Sequence, residues 1–308
     1  LGDCRNFEGK HACYGETAGF NTALDGPHAR LGSGRTALVI ATDEARRHPD
    51  DPSELSGGCG AVAMLLREDP RLVAFDAESF PAAMDVWDVA RPSATFEWGD
   101  PVLSLYAYLD LLEAAFDAWH ATDAATDGLD FVLLHAPLLS LLEQAWQVVL
   151  AGEGVFDRAE VTARFERMVA PSLGYNRELG NIYGGSLYAS LAGLLAHTDV
   201  PGGARLGMFA YGSGACAELF TGTVRAGASD RVRARGIGAH LKARRPVTVG
   251  TFDALAVATE GRFGRETEGP LVPGDGAPFR DLWDEAYAGT GRLVLSHIDR
   301  YRRHYREA

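Results

Sequence analysis

A chain of 308 residues, 46% hydrophobic and 23% charged, has the composition of ordinary soluble globular proteins and the length for two packed halves or one large α/β domain. A formal net charge of −13 argues against a general nucleic-acid binder. No apolar run approaches the roughly 18–20 uncharged residues of a membrane-spanning helix, and Asp3, Arg5 and Glu8 follow Leu1 too closely for a signal peptide.

In chain order, the first predicted element is a helical stretch that follows Cys13 and runs toward Leu24. Residues 35–40 (RTALVI) are a short apolar run with β-branched members, a strand ending at Ala41-Thr42-Asp43. Residues 61–66 and 72–75 predict two more strands after Gly57-Gly58-Cys59-Gly60. From Ser104 the period changes: Leu105, Leu109, Leu112, Phe116 and Trp119 fall at 4–3–4–3 spacing, the apolar stripe of an amphipathic helix. Residues 131–134 predict a buried strand that feeds His135-Ala136-Pro137 and then an apolar helix over 138–150. A glycine-rich entry at 180–185 leads into a helix over 186–197, and residues 205–210 form a strand running into the turn Tyr211-Gly212-Ser213-Gly214. Pro and Gly between 261 and 278 predict a surface loop, and residues 292–296 the last strand, followed by a basic tail. Alternating strands and helices indicate an α/β architecture with buried strands.

Four cysteines, Cys4, Cys13, Cys59 and Cys216, contain no C-x-x-C pair, which points to neither a disulfide framework nor a zinc site. A reduced, cytoplasmic setting fits them, where a free thiolate can do chemistry. Cys13 precedes small residues and a predicted helix, whose unpaired N–H groups favour the thiolate and make it a nucleophile toward a thioester. A buried structural cysteine explains the local sequence equally well. His135 ends an apolar strand; it is either a satisfied core residue or, beside Cys13, a group that polarises a thioester carbonyl. Asn181 is either a plain helix cap or an amide at the mouth of a site. The turn at 211–214 is either an ordinary tight turn or a source of backbone N–H groups for an oxyanion hole. Basic clusters at Arg231, Arg233 and Arg235, at Lys242, Arg244 and Arg245, and at Arg300, Arg302, Arg303 and Arg306 read as solvated faces or as a local patch for a phosphorylated substrate.

Taken together and in order, Ala12-Cys13-Tyr14-Gly15, the strand 131–137, GNIYGGSLYASLA at 180–192 and FAYGSG at 209–214 resemble the boxes of the hydroxymethylglutaryl synthase family, a branch of the thiolase superfamily. The likeness continues through ATDEAR at 41–46, GAVAM at 60–64, Arg91-Pro92 and the ending at 294–305. It implies a duplicated, layered α-β-α-β-α thiolase-like fold, with residues 1–100 as the remainder of a first half and 101–308 as a second half. Cys13 would take an acetyl group from acetyl-CoA or an acetyl carrier protein. His135 and Asn181 would act on a β-ketoacyl acceptor, with Gly212, Ser213 and Tyr183 around the oxyanion and substrate. The resemblance further implies a homodimer and no metal or cofactor beyond the acyl substrate. A chain-initiating ketoacyl synthase also uses Cys, His and Asn but has a different asparagine box; a non-catalytic carrier-protein binder is the alternative from another class.

Two departures stand out. The family carries roughly a hundred residues ahead of the nucleophile, on the scale of a small domain, including the glutamate that serves as general acid/base. Here the nucleophile is residue 13, so the expectation is a chain that lacks that part, and that is poorly soluble and unable to condense on its own. Glu16 stands where the family has a small residue, and is expected to point along the following helix rather than to replace the base. In addition, the family's helix after the histidine commonly carries lysines for coenzyme A phosphates, whereas Leu138-Leu139-Ser140-Leu141-Leu142-Glu143-Gln144 has no cation. This favours the polyketide β-branching members, which act on chains held by an acyl carrier protein.

Overall fold

A computed structural model of the chain describes residues 4–30, 36–45, 52–91, 97–260 and 269–308. Arg35, Arg46, Pro92 and residues 261–268 of the loop expected over 261–278 lie outside them. Two compact units are present, Leu1–Pro92 with Phe96–Ala243, and Ser93–Thr95 with Arg244–Ala308.

The first unit opens with helix α1 (Gly15–Arg30), directly after Cys13. Strands β1 (Ala37–Glu44) and β2 (Cys59–Leu66) pair antiparallel, with Ala37 opposite Leu66 and Glu44 opposite Cys59. Strand β3 (Val73–Ala83) is followed by the short pair β4 (Val89–Ala90) and β5 (Trp98–Gly99). Helix α2 (Pro101–His120) starts where Asp100 accepts from the amides of Val102 and Leu103, both at 2.9 Å, with Pro101 in the first turn, where its missing N–H costs nothing. Its stripe Leu109, Leu112, Phe116 and Trp119 is buried, as the spacing predicts.

Strand β6 (Phe131–Leu134) leads to α3 (Leu141–Gly152), then α4 (Arg158–Met168), α5 (Gly174–Leu179) and α6 (Gly185–His197). Helix α3 begins three residues later than the apolar run suggests, because residues 137–140 form turns after Pro137. Strands β7 (Arg205–Gly212) and β8 (Cys216–Val224) complete a four-stranded sheet of order β3-β8-β7-β6, parallel only between β6 and β7. Along β7, Leu206, Met208 and Ala210 join one apolar cluster, while Phe209 and Tyr211 join the other. The sheet is thus covered on both sides, by α2, α3 and α4 on one face and by Phe20 of α1 and Leu187, Leu194 and Leu195 of α6 on the other. Short helices α7 (Ala228–Arg233) and α8 (Ile237–Lys242) end this unit.

The second unit holds α9 (Val249–Glu260), β9 (Gly269–Pro270), α10 (Arg280–Ala286), β10 (Leu293–Asp299) and β11 (Arg302–Glu307). Here the structure corrects the reading of the end of the chain. The basic tail after the expected last strand is itself a strand, paired antiparallel with β10. Arg300 and Tyr301 turn the hairpin with φ of 46° and 65°. Positive φ at both central residues is the two-residue hairpin geometry that Asn-Gly usually announces, and no such dipeptide flags it here.

Candidate active site

Cys13 sits just ahead of α1: the Tyr14 carbonyl accepts the Ala18 amide at 2.9 Å, and Ala12 before it is held at φ 39°. The thiol is half-buried at the positive end of the helix, the position the sequence predicts. Two glycine turns close on it. A Cβ at Gly212 would collide with the Tyr14 backbone, and one at Gly184 would collide with the Cys13 carbonyl. Only glycine lets these backbones approach the Cys13 segment so closely.

The Gly184 contact belongs to the asparagine turn. Asn181 is 5% exposed, and its Oδ1 accepts from the Tyr183 amide at 2.9 Å. This is an Asx-type turn rather than a helix cap; α6 starts later, with Gly184 at its N-cap and no side-chain cap bond. Ser186 Oγ accepts the Ile182 amide at 2.9 Å, and Tyr183 is held at φ 52°, a left-handed conformation that non-glycine residues rarely adopt. With Oδ1 used inside the turn, the donors of Nδ2 are the part of Asn181 left for a ligand.

His135 follows β6, fixed by its amide on Phe209 O at 2.8 Å and by the Tyr108 hydroxyl on its carbonyl at 2.9 Å. The residue is 1% exposed, and neither ring nitrogen has a hydrogen-bond partner. Burial pushes its pKa down to about 4, so the ring is neutral near pH 7, with one N–H and one lone pair. Its plane lies at 26° to that of Tyr211, centroids 6.5 Å apart. Tyr211 joins the parts. Its phenol is held above the ordinary range by burial, then by the Asp88 carboxylate, with Ser213 and Cys13 also near enough to act on it. Cys13, the His135 strand and the Gly212–Ser213 turn therefore meet around one tyrosine.

Several functional groups escape sequence reasoning. Asp88, fully buried, accepts the Tyr211 hydroxyl and the Gly214 amide, both at 2.9 Å, and so fixes the turn and removes Gly214 N–H from any oxyanion hole. Glu218, 4% exposed, accepts from Tyr14 Oη and Asn21 Nδ2, each at 2.5 Å, anchoring α1 to β8. Glu16 does not point along its helix as expected: its carboxyl is turned inward against Gly184, with Asp43 of β1 facing it. A concavity of about 610 Å³ lined by Arg71, Arg225 and Arg231 lies past the Val224 end of β8, whereas Cys216, at the other end, is near Tyr14. It takes no part in the cluster around Cys13. Among the described residues no group of His, Cys, Asp and Glu is placed to hold a metal ion, and no helix is long and apolar enough to cross a membrane.

The family model for the C-terminal region of hydroxymethylglutaryl-coenzyme A synthase matches residues 158–267. The chain is 32% identical to the hydroxymethylglutaryl-CoA synthase of Enterococcus faecalis over 83% of its length, and spans 66% of that relative. It is 29% identical to the polyketide biosynthesis hydroxymethylglutaryl-ACP synthase PksG of Bacillus subtilis over 99% of its length, spanning 75% of PksG. The solved structure of the curacin biosynthetic pathway HMG synthase superposes with a TM-score of 0.91 at 32% identity, covering 100% of this chain and 75% of that one. The same enzyme in complex with its acetyl donor-ACP gives a TM-score of 0.92. The fold is the thiolase-like α/β arrangement of these synthases, and the chain belongs to the hydroxymethylglutaryl-CoA synthase family.

Proposed function

We propose that this chain carries the acyl-transferring site of a hydroxymethylglutaryl synthase, with an acyl carrier protein as the preferred bearer of substrate. The observation that carries the reading is the convergence of the Cys13 segment, the Asn181 turn and the His135–Tyr211 pair on one place in a family member's fold. The Cys13 thiolate attacks the acetyl thioester carbonyl; a sulfur–carbon bond forms, and the donor thiol leaves with a proton. Backbone N–H groups at Cys13 and Ser213 face the developing oxyanion. Loss of a methyl proton to a base gives the enolate, whose carbon attacks the β-carbonyl of the acceptor. The neutral His135 ring and Asn181 Nδ2 donate to that carbonyl as it becomes an alkoxide, and Tyr183 borders the acceptor. Water then cleaves the acyl–Cys13 bond. No redox step occurs, so no electron carrier is called for.

Preference for a carrier protein rests on the segment after His135. Helix α3 has Glu143 in its first turn and no cation there, so coenzyme A phosphates lose contacts each worth about 1.5–3 kcal/mol. PksG is a hydroxymethylglutaryl-ACP synthase and the curacin enzyme is solved in complex with its acetyl donor-ACP, which supports the same side. The family resemblance supports a homodimer, to be checked by sedimentation.

Two measurements test the proposal. Labelled acetyl thioester, followed by peptide mapping, places the acetyl group on Cys13; label on Cys4, Cys59 or Cys216 overturns the nucleophile assignment, and no label at all leaves a binding protein without acyl transfer. With acetyl carrier protein and acetyl-CoA compared as donors, the carrier is expected to be used at least about tenfold better, the factor of one lost contact. Equal use, or preference for acetyl-CoA, overturns the carrier reading.

A further inference from the structure

Glu16 stands in the first turn of α1, and its Oε2 is buried with no hydrogen-bond partner. The side chain lies where a Cβ on Gly184 would strike it, at the same point where the Cys13 carbonyl packs. The group facing it is a second carboxyl, Asp43 at the end of β1. Two ionised carboxylates in that position offer each other only acceptors, and their repulsion is strong away from water. One proton shared between them replaces that repulsion with a hydrogen bond.

The surrounding charges decide which oxygen holds that proton. Arg91, after β4, donates to Glu97 at 2.8 Å, and Glu97 in turn accepts the Tyr183 hydroxyl at 2.6 Å. Burial raises Asp43 too, but Glu16, Arg91 and Lys10 favour its ionised form while Glu97 opposes them, and Lys10 is exposed and paired with Glu8. From α6 the Tyr188 hydroxyl, bonded to Thr17 at 3.0 Å, faces the same region; Tyr188 also senses Glu218 of β8. Arg91 thus acts on Asp43 and Glu97, and among the described residues no cation acts on Glu16. Burial, then the hydrogen bond to Asp43, push its pKa up to about 8.

We propose that Glu16 is a positioning residue that acts as a neutral carboxylic acid, donating its proton to Asp43 and thereby holding the Cys13 segment against the Asn181 turn. The proposal rests on the reading of Cys13 as the nucleophile. Glu16 touches neither the reacting sulfur nor the acceptor in this account; it fixes the distance between the segments that carry them. Above the pH at which the proton leaves, two anions stand side by side behind the nucleophile, and the latch opens.

The test follows alkylation of Cys13 by iodoacetamide against pH, a readout independent of acyl transfer, in the parent chain and in Glu16→Gln. Glutamine keeps an N–H donor toward Asp43 and cannot ionise. At about pH 6.5 the two should react alike, and above about pH 8 the parent should fall behind Glu16→Gln by about 2–10-fold, since an added anion opposes the thiolate. In Asp43→Asn the carboxylate neighbour is gone, so that fall should move to lower pH. A Glu16→Gln chain already faster at pH 6.5 would mean an ionised Glu16 throughout, and identical curves at all pH would mean no link to Cys13; either overturns the proposal. If Glu16→Gln does not fold, an unmoved curve in Asp43→Asn does the same. A parent that shows the predicted alkylation curve but takes no acetyl group refutes the synthase reading and leaves the latch standing.

Discussion

A core imidazole normally gives at least one ring nitrogen a partner, and His135 gives neither. Its main chain is fully committed, to Phe209 and Tyr108, so the ring is held in place without being used. That arrangement suits a group waiting for the carbonyl of a bound acceptor. His135→Ala is therefore expected to leave acetylation of Cys13 near the parent rate and, in a chain supplied with the family's N-terminal part, to slow condensation by about 10²–10⁴-fold, the usual share of a general acid–base side chain. Separate assays of acetylation and product formation check this, and unchanged condensation would remove His135 from the site. The places of Cys13 ahead of α1, His135 after β6 and Asn181 before α6 were legible because each lies in a box whose neighbours are distinctive. Asp88 was not: its role depends on Tyr211 and Gly214, brought over from the far end of β7, and nothing in Asp85-Val86-Trp87-Asp88 marks which carboxylate goes inside. Glu16 was misjudged for the same reason, since helical spacing does not tell which neighbour a first-turn side chain will meet.

Among the elements, α2 is the one whose start depends most plainly on a single side chain. Asp100 Oδ1 takes two amides that would otherwise be unpaired, and its own amide is tied to Asp88 O at 2.9 Å. Asp100→Ala should cost about 0.5–2 kcal/mol in urea unfolding, with acetylation of Cys13 unaffected. A loss below a few tenths would show that Pro101 alone sets the helix start. Elements with a clear period were legible throughout: β6 is found at its predicted bounds, and the α2 stripe faces the core. The β10–β11 hairpin was not, because β11 reads Arg-Arg-His-Tyr-Arg-Glu, with neither an apolar alternation nor a glycine turn ahead of it. Its pairing comes from β10, which offers a partner edge.

At the scale of the molecule, two buried titrations pull stability in opposite directions. The His135 pKa falls from 6.5 to about 4 on folding, so the unfolded chain binds the extra proton between those values. That contribution is whole above pH 6.5 and is lost as pH falls toward 4. Glu16 rises from 4.5 to about 8, so the folded chain holds the extra proton, and its contribution is whole below 4.5 and lost as pH rises through 8. The two offset each other where the windows overlap, and above pH 6.5 the Glu16 slope stands alone, up to ~1.4 kcal/mol per pH unit. His135 is common to both, so urea midpoints for the parent and Glu16→Gln should diverge from about pH 4.5 to 8, with the variant gaining; a constant difference would exclude this titration. The asparagine turn also sets an order of events in time. The Asn181 amide is held by Ser56 O at 2.8 Å, and Gly57 bridges to the same residue, with α2, β6 and three more helices between them along the chain. Closing so long a loop is slow, whereas β7 and β8 pair across residues 213–215 alone. The acceptor side of the site is therefore expected to close after the core sheet. In pulsed hydrogen exchange during refolding, the amides of Asn181 and Ile182 should gain protection after those of β7.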